Sequence, residues 1–216
     1  MTTGSGSGRR GARLLDSPVI GLLPWIIFAV VVGPGRFELG VGLSLACALA
    51  VVAAGRIWRP HSSWKLLELC DVVFFAVLAV VGALAADGTS RWLETYAGEI
   101  ANIALVLIAF GSMAFRAPFT LPYAREQVPR SRWDSPLFLR TNYVVTGVWG
   151  AAFLVGAVAG GYADLVQHAP DNIWTGWIIQ IAAIVAALRF TRWYPARVRA
   201  RAAAGNAASP PPDGEP

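Results

Sequence analysis

The sequence predicts an all-α fold, a polytopic membrane helix bundle with six transmembrane helices. Three observations lead there. The chain of 216 residues is 56% hydrophobic and only 14% charged, with a mean hydropathy of +0.53, which does not suit an ordinary soluble domain. Its apolar residues gather in six runs, about 14–32, 39–55, 66–86, 96–115, 143–162 and 173–192. A bilayer core of about 30 Å takes roughly 20 helical residues, and spanning backbone must satisfy its own hydrogen bonds, so the runs are expected to be helices. The cations also alternate between successive connections. Sixteen of the 18 Lys and Arg fall before the first run, between runs two and three, between four and five, or from Arg189 onward. That is the positive-inside pattern, with both termini cytoplasmic.

The formal net charge of +5 therefore points to the anionic cytoplasmic leaflet of a bilayer, and its placement argues against nucleic acid. Trp58, Trp64, Trp92, Tyr96, Trp193 and Tyr194 stand near span ends, as an interfacial aromatic belt requires. Arginine outnumbers lysine 17 to 1 beside abundant Ala, Gly and Val. That bias suggests a GC-rich bacterial genome, and hence the bacterial cytoplasmic (inner) membrane.

Residues 1–13 are Gly/Ser-rich and basic, and read as a disordered cytoplasmic tail. Arg9-Arg10 lacks the apolar pattern of a twin-arginine signal, and no A-x-A site directly follows the first run. The transmembrane domain is expected over 14–193. Pro24 should bend the first span by deleting a backbone bond. Val32-Gly33-Pro34-Gly35 leaves room only for a tight turn to the second span.

The third span opens with Glu68 and Asp71, three apart and so on one helix face. Two roles suit acids at that depth: ion pairs with arginines such as Arg56, Arg59 or Arg116, or a proton- or cation-binding site. Asp87–Thr95 reads as an acidic external turn. Glu99 and Asn102 repeat the polar i, i+3 pair at the outer end of span four, where a carboxylate complements the helix dipole. In span five, Asn142, Thr146, Gly150 and Phe153 lie along one stripe. Gly156 and Gly160 have the small-xxx-small spacing that lets helices approach closely. Gln180 is the one strongly polar side chain deep in span six, placed for an interhelical hydrogen bond. The tail 194–216 is expected to be disordered, its Arg197, Arg199 and Arg201 resting on the leaflet.

The chemically richest connection is the cytoplasmic loop 116–141. Pro118, Pro122, Pro129 and Pro136 forbid one continuous helix. Arg116, Arg125, Arg130, Arg132 and Arg140 alternate with Tyr123 and Trp133, and Glu126 and Asp134 are the expected partners of the arginines. The loop reads as an interfacial anchor or as a docking surface for a protein partner or an anionic ligand. Span exits at Phe119-Thr120 and Phe190-Thr191 look alike, as do Asp16-Ser17-Pro18 and Asp134-Ser135-Pro136 before spans one and five. These echoes suggest three helical hairpin repeats.

The run PFTLPYAREQVPRSRWDSPLFLRTNYVVTGVWGAAFLVG, Pro118–Gly156, resembles a stretch in an uncharacterised bacterial family of multi-pass inner-membrane proteins, through its PFT, YARE, WD-x-P and TxVWGxAF steps. Some relatives in that family carry a label borrowed from intracellular septation protein A, an assignment that no residue of this stretch supports. The resemblance implies a multi-pass helical fold in the inner membrane and carries no activity and no functional residue with it.

No nucleophile, base or metal set is recognisable, and P-loop, HExxH and GxSxG motifs are absent, so the sequence leans away from an enzyme. Cys47 and Cys70 fall inside spans and read as packing residues. His61 and His168 fall on opposite sides, which rules out a shared haem, and no cofactor is expected. A small-solute or ion transporter, with Glu68, Asp71, Glu99, Asn102, Asn142 and Gln180 lining a polar pathway, fits best. A non-catalytic scaffold, docking a partner or a second copy through the loop, is the alternative.

Overall fold

The computed structural model describes residues 18–58, 64–163, 166 and 174–208. Helices α1 (Pro18–Gly21) and α2 (Leu23–Val31) are followed by α3 (Phe37–Trp58), α4 (Leu66–Leu84), α5 (Asp87–Thr95) and α6 (Ala97–Ala114). A short α7 (Leu121–Arg125) and a 3-10 turn (Arg130–Arg132) lead into α8 (Pro136–Tyr162), and a π turn (Trp174–Ile178) opens α9 (Ile179–Ala208). Among the described residues there is no strand. Four helices, α3, α4, α6 and α8, are long and apolar enough to cross a membrane, and Val19–Val31 is a shorter apolar segment. Large apolar side chains such as Val73, Val77, Leu84, Leu107 and Val158 point outward and are exposed, which fits a lipid-facing surface. The expected tail 1–13, His61 and His168 lie outside the described residues.

The expected bend at Pro24 is a break. Leu22 closes a turn back to Val19 (3.2 Å), and Pro24 then occupies the first turn of α2, where its missing N–H costs nothing. The turn between α2 and α3 is as tight as expected. Gly35 sits at φ 70°, a left-handed conformation that favours glycine. Its N–H donates to Glu94 of α5 at 2.9 Å. Asp87–Thr95 is thus a helix where a simple turn was expected; it buries Leu93 and covers this end of the bundle.

Two further boundaries differ from expectation. Helix α8 starts at Pro136, ahead of the predicted Tyr143, because Ser135 caps it by accepting from the N–H of Phe138 at 3.2 Å. Helix α9 continues through Pro195 to Ala208, so the expected unstructured tail is corrected over 194–208. Its Ala- and Arg-rich sequence has strong helix propensity, which offsets the one bond that proline removes.

The helices group as two sequential triplets, α2–α3–α4 and α6–α8–α9, each packed through its middle helix. Helices α4 and α6, the expected second hairpin, barely meet, so the packing does not follow three hairpins. Both triplets contribute to one continuous core that includes Trp25, Phe75, Tyr123 and Trp149.

Candidate functional site

The loop after α6 begins with a helix stop made by hydrogen bonds. Ala117 N–H donates to the Ser112 carbonyl at 2.8 Å and Arg116 N–H to the Met113 carbonyl at 3.1 Å, a Schellman pairing with Arg116 at φ 57°. The chain then turns back into the bundle. Phe119, Thr120, Leu121 and Tyr123 are all buried. Phe119 N–H donates to Ser112 Oγ at 3.1 Å, and the Thr120 and Thr146 hydroxyls meet at 2.8 Å. The first half of the expected docking loop is therefore a plug between the triplets. Tyr123 wedges beside Gly21 and Leu67, with the Lys65 ammonium 4.8 Å above its ring. Burial pushes the Tyr123 phenol well above its usual range, and the carboxylates of Glu68, Asp71 and Glu126 push the same way.

The second half faces outward. Arg130, Arg132, Asp134 and Arg140 are exposed, as is Arg116. Trp133 donates its indole N–H to the carbonyls of Arg125 (3.1 Å) and Val128 (3.3 Å). The guanidinium groups of Arg125 and Arg130 lie over its ring at 5.3 and 5.6 Å. Glu126 reaches Lys65, 3.7 Å away. The aromatic face offered those arginines a partner close by in sequence.

The polar candidates form three groups. In the first, Lys65 is 6% exposed and bridges Glu68 (3.5 Å) and Glu126. Asp71, one turn deeper and 1% exposed, accepts from the Trp25 indole at 2.7 Å. Glu68 and Asp71 thus share a face as expected, with Lys65 and Trp25 as their partners and Arg56 near enough to act on the Glu68 charge. Arg56 stacks on Trp64 at 3.5 Å and borders, with Lys65 and Glu68, a small cavity of about 110 Å³. Arg59 lies outside the described residues.

The second group joins the start of α6 to the start of α9. Gln180 donates to Asn102 Oδ1 at 2.8 Å, and Asn102 donates back to Gln180 Oε1 at 3.3 Å. Each amide is thereby satisfied, as buried amides require. The glycine stripe of α8 makes room for α6. A Cβ on Gly156 would stand 3.1 Å from Asn102, one on Gly150 would stand 2.9 Å from the Phe110 ring, and one on Gly160 would overlap Glu99.

The third group borders a cavity of about 520 Å³ at the loop end of the second triplet, between α7, α8 and α9. Of the six polar candidates only Asn142 reaches it. The floor is Trp149, whose indole N–H donates to Thr191 Oγ1 at 3.0 Å, with Val145 and Leu188 beside it. The contacts of Gly150 with Phe110 and Gly156 with Asn102 set the register of α8 on α6. They place Trp149 about 10 Å deeper than Arg116, at 1.5 Å per residue. Thr120, Gln127 and Thr141 line the sides, and Arg132, Arg192 and Arg199 complete the lining.

Leu188, Thr191, Arg192, Pro195, Val198 and Arg199 follow one face of α9 at helical spacing. That stripe was visible in the sequence, but it was divided there between a span and a tail. Among the described residues no group of His, Cys, Asp and Glu could hold a metal ion, and Cys47 and Cys70 are free, half-buried thiols. Compared with protein-family models, with curated proteins and with solved structures, the chain matches none.

Proposed function

We propose that the chain is an integral protein of the bacterial cytoplasmic membrane that carries a small solute, received in the cavity between α8 and α9. In this reading the chain crosses six times, with its termini and the loop 116–135 in the cytoplasm. The four long apolar helices support that topology, as does the gathering of cations at one set of connections. Val19–Val31 with the residues before it, and the region 173–192, supply the remaining crossings. The likeness of Pro118–Gly156 to a multi-pass family belongs to the same reading.

The observation that carries the proposal is the cavity itself. Its volume of about 520 Å³ falls in the range of small-molecule sites, roughly 300–1,000 Å³. Its lining joins Arg132, Arg192 and Arg199 to Trp149 and Leu188, and in this reading it is exposed to one face at a time, as alternating access requires. Glu68, Asp71, Glu99, Asn102 and Gln180 are then structural, and Asn142 contacts the solute.

The test is flux in proteoliposomes, read as charge movement on solid-supported membranes and as uptake of labelled small carboxylates, phosphate esters and amines. Thr141→Trp fills the cavity from its wall and abolishes the native flux, while Glu68→Gln leaves it within about twofold. Flux that survives Thr141→Trp, or no flux for any member of the panel, overturns the proposal. A partner-docking role is the second reading, favoured by the outward Arg130, Asp134 and Arg140.

A further inference from the structure

We infer that the cavity between α8 and α9 binds an anionic amphiphile with a phosphate-type head and a short apolar body. The inference rests on the reading above, since it names the ligand class of the same cavity. Three arginines line the space, Arg132 on the loop and Arg192 and Arg199 on α9, and among the described residues no carboxylate lines it. Arg192 and Arg199 are seven residues apart, two turns or about 10 Å along one face. A phosphate ester meets that spacing better than a lone carboxylate, because it offers several acceptor oxygens to forked guanidinium donors.

The wall changes character with depth. Thr141, Thr191 and Asn142 are the polar part of the wall, with their hydroxyl and amide groups donating to the Leu137, Ala187 and Phe138 carbonyls, and Val145, Leu188 and Trp149 make an apolar floor. Head and body are thus addressed at different levels. The Trp149–Thr191 bond holds α8 and α9 together just where the apolar part would end. Two sources share this chemistry. One is the headgroup of an anionic phospholipid whose chains remain in the bilayer, and the other is a soluble phosphate ester.

The full-length chain in nanodiscs separates these sources. Octyl phosphate, titrated against protein in phosphatidylcholine discs, is expected to bind saturably at one site per chain. Arg192→Gln and Arg199→Gln each weaken binding tenfold or more, and Arg140→Gln leaves it unchanged. In phosphatidylglycerol discs, native mass spectrometry retaining one lipid per chain, with loss of the octyl phosphate site, identifies the lipid source. An unaltered octyl phosphate site identifies the soluble one. The three arginines replaced or compared are exposed, so the variants keep their fold, and their melting temperatures verify it.

Octanol binding as tightly as octyl phosphate overturns the inference, because the cavity is then merely apolar. Binding indifferent to Arg192→Gln and Arg199→Gln overturns it as well, as does the absence of binding to both phosphate probes. The transport reading fails separately. Phosphate binding without flux leaves the anion site standing and removes transport, whereas flux without phosphate binding removes the anion site alone.

Discussion

Helices α2 and α4 meet through aromatic rings, whereas α6 meets α8 through glycines and α9 through a pair of side-chain amides. In the first triplet, Trp25 stacks on Phe74 at 4.7 Å and tilts against Phe75 at 5.1 Å, and Phe28 meets Phe75 edge-on at 5.4 Å. In the second, Gly150, Gly156 and Gly160 accept Phe110, Asn102 and Glu99. Lipid supplies little hydrophobic drive between helices, so dispersion contacts and polar pairs must hold them. Bulk serves this purpose when it interlocks, and close approach serves it when backbones are bare. In this half the Trp149–Thr191 bond joins α8 to α9, and the cavity of about 520 Å³ is lined by both helices and the loop.

The sharpest break of the comparison is steric. Gly150→Leu pushes a side chain into the Phe110 ring, since even a Cβ there stands 2.9 Å away. The expected loss is about 3 kcal/mol or more, the upper end for overpacking. Gly161→Leu and Gly42→Leu place the same side chain where nothing lies within 4 Å, and should fall within about 0.5 kcal/mol of the native protein. Unfolding in mixed micelles with rising SDS measures all three. Equal losses at the three sites would show that the glycine face does not seat α6.

The first triplet has its own weak point. Trp25→Phe keeps a ring against Phe74 and Phe75 but removes the donor to Asp71, which is 1% exposed. An unmet buried acceptor of this kind costs about 2 kcal/mol. In an Asp71→Leu background the same change should cost much less. A full 2 kcal/mol in both backgrounds would trace the loss to ring packing and not to the hydrogen bond. The reciprocal pair of the second triplet is worth less. A double-mutant cycle of Asn102→Ala and Gln180→Ala should give a coupling of about 1 kcal/mol, and a coupling near zero would mean that the two amides do not depend on each other.

These contrasts mark what could be seen in the residues beforehand. Apolar runs and cation alternation are properties of single segments, so the four long helices were legible. So was the shared face of Glu68 and Asp71, because three residues bring side chains into line on any helix. The stripe of Asn142, Thr146, Gly150 and Phe153 is buried along its length, again as helical spacing required. Partners were not legible. Lys65 borders Glu68 in sequence, but Glu126 reaches it only because α7 folds inward, and Tyr123 is drawn in by the space beside Gly21. The cavity was hidden for another reason. Pro195 read as the end of a helix, and α9 runs through it, which carries Arg192 and Arg199 together past the loop.

The smallest expected effect tests the plug between the triplets. The Tyr123 hydroxyl is buried and finds no hydrogen-bond partner, so its removal sacrifices no bond and relieves a desolvated polar atom. At neutral pH, Tyr123→Phe should leave stability unchanged within about 0.5 kcal/mol or raise it slightly. The contrast emerges in alkali. An unfolded tyrosine ionises near pH 10, while burial and the nearby carboxylates hold the folded phenol well above that value. Above pH 10 the folded chain therefore keeps a proton that the unfolded chain has released. Stability drawn from this residue is complete below pH 10 and declines as pH climbs toward the folded value. Tyr123→Phe removes that decline, and unfolding measured from pH 8 to 11 should show a shallower alkaline limb. A cost above 1 kcal/mol at pH 7, or an alkaline limb as steep as the native one, would mean that the hydroxyl is solvated and that residues 119–125 do not seal the seam between the two halves.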